Sequence, residues 1–284
     1  MTYLPSYPQK IRNAAQAALV SRINLKLIYK TIYKYLRMKV AIVFSGQPRY
    51  IEETLIFQVN QMFFLSKYDC DVYAHFWFKH DENYIYNTGP DSYLSDLKLH
   101  KDSISLFTEL YKPKKIVVED PPTLEDLTTR HYTHVYTQSQ VLPILSYTTS
   151  LKKAYNLIDN PEQYDFIIRL RTDMLIVRCP DLNILSKENI YLFSVKLNEV
   201  YIYDCFFIAP PAYAKALCYE IDNIDTMYTN GEKMSAGEMF VRNIQVNNLV
   251  DKCLLLPFKD FYFRIQRQGK SVHSMIGLVD EKPE

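Results

Sequence analysis

Short runs of β-branched and aromatic residues alternate with stretches of helical periodicity, and this alternation constrains the fold more than any other feature of the chain. The first four runs lie at residues 39–45, 70–78, 116–119 and 164–170, with helical spacing at 51–66 and 139–159. Further strands are predicted at 190–193, 203–208 and 253–256, and helices at 212–222 and 236–248. Strands separated by helices pack as a mainly parallel sheet covered on both faces. The sequence therefore predicts an α/β fold.

Composition excludes several classes of protein. A chain of 284 residues that is 48% hydrophobic and 23% charged buries a substantial core, unlike a disordered or collagen-like chain. Its six glycines form neither the dinucleotide-binding fingerprint nor a P-loop, so a phosphate site must be built another way. Its five cysteines include no C-x-x-C pair, which favours reduced core thiols. The chain has no secretory leader pattern, no glycosylation sequon and no apolar run of about 18 residues, so we expect a cytoplasmic protein.

The N-terminal segment differs in charge from the remainder of the chain. Nine lysines and arginines precede the first acidic residue, Glu52, although the net charge of the whole chain is only +1. Within the basic segment 10–37, one helical stripe opposite an apolar face consists of Arg22, Lys26, Lys30, Lys34 and Arg37. This pattern predicts an amphipathic helical extension over residues 1–37, followed by a domain over 38–284. The extension either contacts an anionic membrane or an acidic partner, or packs on its own domain.

The first predicted strand runs into a loop with features of an anion site. Gly46 permits close approach of a ligand to the backbone, Ser45 and Gln47 offer hydrogen bonds, and Arg49 offers a guanidinium fork. Ligands of open α/β sheets bind beyond the carboxyl ends of the strands, where this loop falls. The alternative is an ordinary tight turn with an exposed arginine.

The fourth predicted strand ends in a second charged group. Alternation places Arg169, Arg171 and Asp173 on one face of the strand, opposite Ile168 and Leu170. Charges next to such an apolar strand are costly unless they are paired or bind a ligand. The group is therefore either a structural ion pair or a site for an anionic ligand and its metal.

Three segments together resemble the GT-A-fold glycosyltransferase-like proteins of bacteria and large DNA viruses or phages. They are Phe44–Arg49 (FSGQPR), Asp71–Trp77 (DVYAHFW) and Tyr164–Asp173 (YDFIIRLRTD), and the resemblance extends over residues 39–248. It implies a nucleotide-sugar donor cradled by the first strand, and we expect that donor to be uridine-linked. It also implies a D-x-D-type motif that binds Mn²⁺ or Mg²⁺ together with the diphosphate.

The match to the metal motif is incomplete. Asp173 corresponds to the final acid of that motif, whereas Arg171 stands where the first acid belongs. Two interpretations follow: Asp173 binds a divalent cation, or Arg171 itself neutralises the diphosphate. The resemblance also implies that His273, near the C-terminus, completes the metal site; its alternative is a solvated side chain.

Two further carboxylates resemble acceptor-side residues of these enzymes. An inverting transferase needs a base to deprotonate the acceptor hydroxyl, and Asp204 and Glu238 are the candidates. Their alternative roles are binding of a backbone amide at a strand start for Asp204, and a place in the first turn of a helix for Glu238. His75 and Trp77 are expected to be core residues.

The combined prediction is a GT-A-like glycosyltransferase of the hexosyltransferase kind, active in glycan biosynthesis. It would move a sugar from a nucleotide donor to a glycan or other hydroxyl acceptor in the cytoplasm or at a membrane surface. The alternative is a catalytically idle module of the same fold that acts as an adaptor through its basic helix. Nucleic-acid binding is not expected, because the body of the protein has no basic cluster.

Overall fold

The structure is a computed structural model, and it describes residues 37–52, 54–81, 84, 99–128, 141–194, 202–229, 235–257 and 259–265. The described residues from Lys39 onward belong to one compact unit. The basic helix predicted for residues 10–37 lies outside the described residues except for Arg37. That helix and the boundary after residue 37 therefore stay predictions.

Nine strands, counted over the described residues, form a large sheet and a small one. They are β1 Lys39–Gly46, β2 Asp69–Trp77, β3 Lys115–Glu119, β4 Phe166–Leu170, β5 Met174–Arg178, β6 Ile190–Ser194, β7 Ile202–Ala209, β8 Cys253–Leu256 and β9 Tyr262–Ile265. Seven of them form one sheet in the order β3-β2-β1-β4-β7-β6-β8, and β5 pairs with β9 in the other. Strands β1 to β4 are mutually parallel, while β7 runs antiparallel to β4 and β6. The predicted mixed, mainly parallel α/β sheet is confirmed.

Helices connect these strands and flank the sheet. In the described part of the chain they are α1 Thr54–Asn60, α2 Ser103–Tyr111, α3 Leu124–Leu127, α4 Val141–Tyr155, α5 Pro211–Cys218, α6 Glu220–Thr229 and α7 Ala236–Val246. Pro143 lies in the first turn of α4, where the missing N–H removes no helical hydrogen bond. None of these described helices is long and apolar enough to cross a bilayer.

The core has two layers, one on each face of the large sheet. On the first face, Leu151 and Ala154 of α4 pack with Val43, Ile167 and Phe207, and all five side chains are fully buried. On the second face aromatic rings dominate. The Phe44 ring centroid lies 5.2 Å from that of Phe107 in α2, and Phe206 stacks on Phe261 at 4.1 Å. Burial on both faces explains why the central strands read as nearly continuous apolar runs.

The order of the strands selects one end of the sheet as a binding position. From β1 the chain moves outward to β2 and β3, then returns to place β4 on the other side of β1. The register pairs Val43 with Arg169 and Phe44 with Leu170, so the two strands end side by side. In open α/β sheets, ligands bind at such a switch point, in the crevice beyond the carboxyl ends of the strands.

Most predicted elements are present, with three differences. The helix predicted at 212–222 is two helices that meet at Tyr219. Strands β5 and β9 form a ribbon that the sequence pattern did not identify. Helix α2 was likewise not predicted, although its Phe107 ring closes the second core layer.

Candidate functional site

The loop after β1 has an unusual backbone. Gly46 adopts a φ of +98° and Tyr50 a φ of +54°, so the conformation is left-handed at both ends of the loop. No described atom lies within 4 Å of the position that a Cβ would take at Gly46. Glycine adopts a positive φ readily, but Tyr50 is in a sparsely populated conformation, and such positions concentrate at ligand sites. The predicted open approach to Gly46 is consistent with this geometry.

The loop after β4 is joined to the loop after β1 by Thr172. The Arg49 amide donates to Thr172 Oγ1 at 2.9 Å, and that hydroxyl lies 3.4 Å from the Gln47 carbonyl oxygen. The Arg49 guanidinium donates to Gln47 Oε1 from Nε at 3.0 Å and from Nη2 at 2.6 Å. The side chains of Gln47 and Arg49 are thereby oriented before any ligand arrives.

Asp173 is the centre of the charged group at this edge of the sheet. Arg171 donates to Oδ1 of Asp173 from Nε at 2.8 Å and to Oδ2 from Nη2 at 2.6 Å. Nη1 of Arg49 lies 3.7 Å from the same Oδ2. Burial alone lowers the pKa of the Arg171 guanidinium, but the Asp173 carboxylate outweighs this effect and the pKa is raised. Two guanidiniums on one carboxylate leave this trio with a charge of +1.

Arg169 pairs with a different carboxylate. Its Nη1 donates to the backbone oxygen of Asp204, its Nη2 lies 3.9 Å from Asp204 Oδ2, and its guanidinium lies 5.1 Å from the centroid of the Tyr147 ring. Arg169 is only 2% exposed. The sequence predicted one face for Arg169, Arg171 and Asp173, and the structure divides them into two pairs.

Glu220, at the start of α6, lies close to the Arg169–Asp204 pair. It is fully buried, and the Tyr147 hydroxyl donates to its carboxyl oxygens at 3.2 and 3.3 Å. Burial raises the pKa of Glu220 to about 8, Asp204 adds to the rise, and Arg169 and Tyr147 oppose it. Glu220 is therefore mainly protonated at neutral pH, which lets it lie near Asp204.

Ser150 of α4 links Gly46 to His75 through hydrogen bonds. The Gly46 amide donates to Ser150 Oγ at 2.7 Å, and Ser150 Oγ lies 2.8 Å from Nδ1 of His75. His75 Nε2 lies 2.8 Å from Glu119 Oε2, and Lys153 donates to the same oxygen. Burial lowers the pKa of His75, and Glu119 only partly offsets this. His75 is the buried, hydrogen-bonded residue that was predicted.

Two buried polar atoms near the site have no hydrogen-bond partner among the described residues. They are Oγ of Ser45, in a residue 8% exposed, and Nε of Arg169. Since Val43 and Ile167 face the core layer under α4, alternation places Ser45 and Arg169 on that same face. Buried polar atoms are normally paired, so these two mark a place where a polar ligand would be stabilised.

Two predicted site residues remain, Glu238 and His273. Glu238 is exposed in the first turn of α7, where the Ser235 hydroxyl donates to its Oε2 at 2.7 Å and Ser235 caps the helix. His273 lies outside the described residues. Sequence reasoning missed Tyr147 and Glu220, which carry no local motif, and Thr172, which stands inside the predicted R-T-D segment.

The described residues do not fit a divalent cation at Asp173. Both carboxylate oxygens already accept hydrogen bonds from Arg171. A divalent ion 4 Å from one guanidinium would meet roughly 8 kcal/mol of repulsion at an effective dielectric constant of 20. No group of three His, Cys, Asp or Glu side chains that could hold a metal occurs in the part of the chain that is described.

Comparison with protein-family profiles found no match, and neither did comparison with curated protein sequences. Among solved structures, the galactosyltransferase LgtC in complex with donor and acceptor sugar analogues aligns with 78% of this chain and 74% of its own, at 8% identity and a TM-score of 0.43. The glycosyltransferase GlyE of Streptococcus pneumoniae TIGR4 aligns with 78% of this chain and 46% of its own, at 10% identity and a TM-score of 0.39.

Proposed function

We propose that this protein is a glycosyltransferase that moves a sugar from a nucleotide-sugar donor to a glycan or other hydroxyl acceptor. One observation carries the proposal: Arg49 and Arg171 converge on Asp173 at the switch point between β1 and β4. An activated sugar leaves behind a nucleoside diphosphate, and positive groups fixed in place stabilise the charge that develops on it. Ser45 Oγ and Arg169 Nε, which are buried without a hydrogen-bond partner in the described part of the chain, are further polar groups for the donor.

The donor would lie along the two joined loops. The open space where a Cβ would lie at Gly46 lets the diphosphate approach closely, while Gln47 and Arg49 are already oriented for it. Arg171 supplies a second guanidinium from the β4 side. We expect uridine-linked sugars, and among them hexoses, to be the first donors to test, since the sequence resemblance implies them.

The transfer itself requires one bond to form and one to break. The acceptor oxygen bonds to the anomeric carbon, the bond from that carbon to the diphosphate oxygen breaks, and its electron pair remains on the diphosphate. The acceptor proton must leave to a base, and we propose Asp204 for an inverting transfer, since it lies next to Arg169 and is 16% exposed. Glu238 stays a prediction for the same role.

A panel of nucleotide sugars, screened by thermal shift and by donor hydrolysis, tests the proposal. At least one donor should raise the melting temperature and be hydrolysed or transferred. In Arg49→Ala the KM for that donor should rise roughly 10- to 100-fold, because a charge-assisted hydrogen bond contributes about 1.5 to 3 kcal/mol. If no donor is bound or consumed, an idle adaptor of the same fold becomes the better interpretation.

A further inference from the structure

The arrangement around Asp173 differs from that of a metal ligand. Asp173 is 1% exposed, and both of its carboxylate oxygens accept hydrogen bonds from Arg171. Nη1 of Arg49 approaches the same group at 3.7 Å. A buried carboxylate that contacts two guanidiniums offsets part of their charge, and it also fixes the orientation of both arginine side chains.

The positive groups lie nearer to solvent than the carboxylate does. The side chain of Arg171 is 27% exposed and that of Arg49 is 13% exposed, whereas that of Asp173 is 2% exposed. A guanidinium carries five N–H donors. Asp173 accepts two of those of Arg171, and the remaining three have no hydrogen-bond partner among the described residues. The trio therefore presents positive charge and oriented donors outward.

We propose that Asp173 is a positioning residue that holds Arg171 and Arg49 as a metal-free clamp for the diphosphate of the donor. This inference rests on the proposed function and deepens it. The guanidiniums take the place of the divalent cation: their net charge of +1 offsets part of the charge of the two phosphate groups, and their N–H donors stabilise the electron pair that remains on the diphosphate when the sugar leaves. They stay protonated throughout, so the clamp takes no part in proton transfer.

The clamp and a metal site differ in how a chelator should affect the affinity for nucleotide. In a metal site, chelation removes the positive charge and weakens nucleotide binding. In the clamp, the charge belongs to the protein, so a chelator leaves the affinity unchanged. Isothermal titration of the full chain with UDP, GDP and CDP, once in excess EDTA and once in excess MnCl₂, distinguishes the two. The Kd of the diphosphate that binds should be no higher in EDTA than in MnCl₂, because Mn²⁺ complexes the free diphosphate and competes with the guanidiniums.

The diphosphate affinities of Arg171 and Asp173 variants test which side chains form the clamp. In EDTA, Arg171→Ala should weaken diphosphate binding roughly 10- to 100-fold, the loss expected for charge-assisted hydrogen bonds. Arg171→Lys, which keeps the charge without the fork, should lie between Arg171→Ala and the wild type. Asp173→Asn should weaken binding equally in EDTA and in MnCl₂, because it releases Arg171 rather than a metal. Arg178→Ala, at an exposed arginine of β5, is the matched control and should bind as the wild type does.

Four results would overturn the clamp. Binding that requires MnCl₂ and disappears in Asp173→Asn overturns the clamp and leaves the proposed transferase intact. Unchanged affinity of Arg171→Ala and Arg171→Lys, both folded by thermal melting, also overturns it. If none of the three diphosphates binds in either condition, the clamp and the proposed function fail together. A merely structural role for Asp173 would lower the melting temperature of Asp173→Asn while its folded fraction kept the wild-type Kd.

Discussion

Replacing Glu220 with glutamine should remove a pH-dependent loss of stability from the protein. Glu220 is fully buried beside Asp204, Arg169 and the Tyr147 hydroxyl, and its pKa is raised from 4.5 to about 8. Between those two values the folded protein keeps a proton on Glu220 that the unfolded chain has released. Since the folded state then binds more protons, the free energy of unfolding falls as the pH rises through this window.

The size of the effect follows from the two pKa values. At 1.36 kcal/mol per pKa unit, a rise from 4.5 to about 8 corresponds to ~5 kcal/mol. The full loss applies above about pH 8, and none applies below about pH 4.5. Because small domains are stable by only about 5 to 15 kcal/mol, this single carboxyl should be visible in the stability of the whole protein.

Urea unfolding at about pH 5, 7 and 9 measures the effect. We expect Glu220→Gln to match the wild type within about 1 kcal/mol near pH 5 and to exceed it by roughly 3 to 5 kcal/mol near pH 9. Glu188→Gln, at an exposed glutamate, removes the same charge and should follow the wild type at every pH. A difference between Glu220→Gln and the wild type that stays constant with pH would refute the reasoning, because it would mean that Glu220 is ionised in the folded state.

Three further predictions concern the loop and the N-terminal extension. Gly46→Val should lower the free energy of unfolding by about 1 to 3 kcal/mol in urea, because a β-branched residue is strained at a φ of +98° even though the space beside it is open; an unchanged midpoint would contradict this. Ser150→Ala should cost about 1 to 3 kcal/mol, since it leaves the Gly46 amide and Nδ1 of His75 without their partner, whereas Ser105→Ala, at an exposed hydroxyl, should be neutral. A chain that begins at Met38 should still bind nucleotide but no longer co-sediment with anionic vesicles at low salt; aggregation of that chain would instead favour a helix packed on its own domain.

The larger part of the sheet could be predicted because its signals are local. Runs such as residues 39–45 and 164–170 are apolar on both faces, and only a covered, parallel strand buries such a run completely. Helix α4 was likewise predicted from its spacing, including the tolerated position of Pro143. By contrast, β5 and β9 stabilise each other across more than eighty residues, and neither has a pattern that names its partner.

Only part of the candidate site could be predicted, because the sequence pattern reports local segments and not contacts between distant ones. Ser45, Gly46, Gln47, Arg49, Arg171 and Asp173 stand in two short segments that follow strands, where the rule for α/β sheets directs attention. The partners of Arg49 and Arg169 were not visible, because the carboxylates that these two arginines meet lie in distant parts of the chain. Asp204 reaches Arg169 through the antiparallel pairing of β7 with β4.

By itself the sequence determined the alternation of strands and helices, the burial of the central strands and the two charged loops, since hydrophobic periodicity and turn chemistry act over a few residues. The tertiary structure decided everything that depends on long-range proximity. It set β1 beside β4, brought Nη1 of Arg49 within 3.7 Å of Asp173 Oδ2, and placed Glu220 against the Tyr147 hydroxyl. The cost of leaving a charge unpaired away from water acts through space, so it is determined only once the chain has folded.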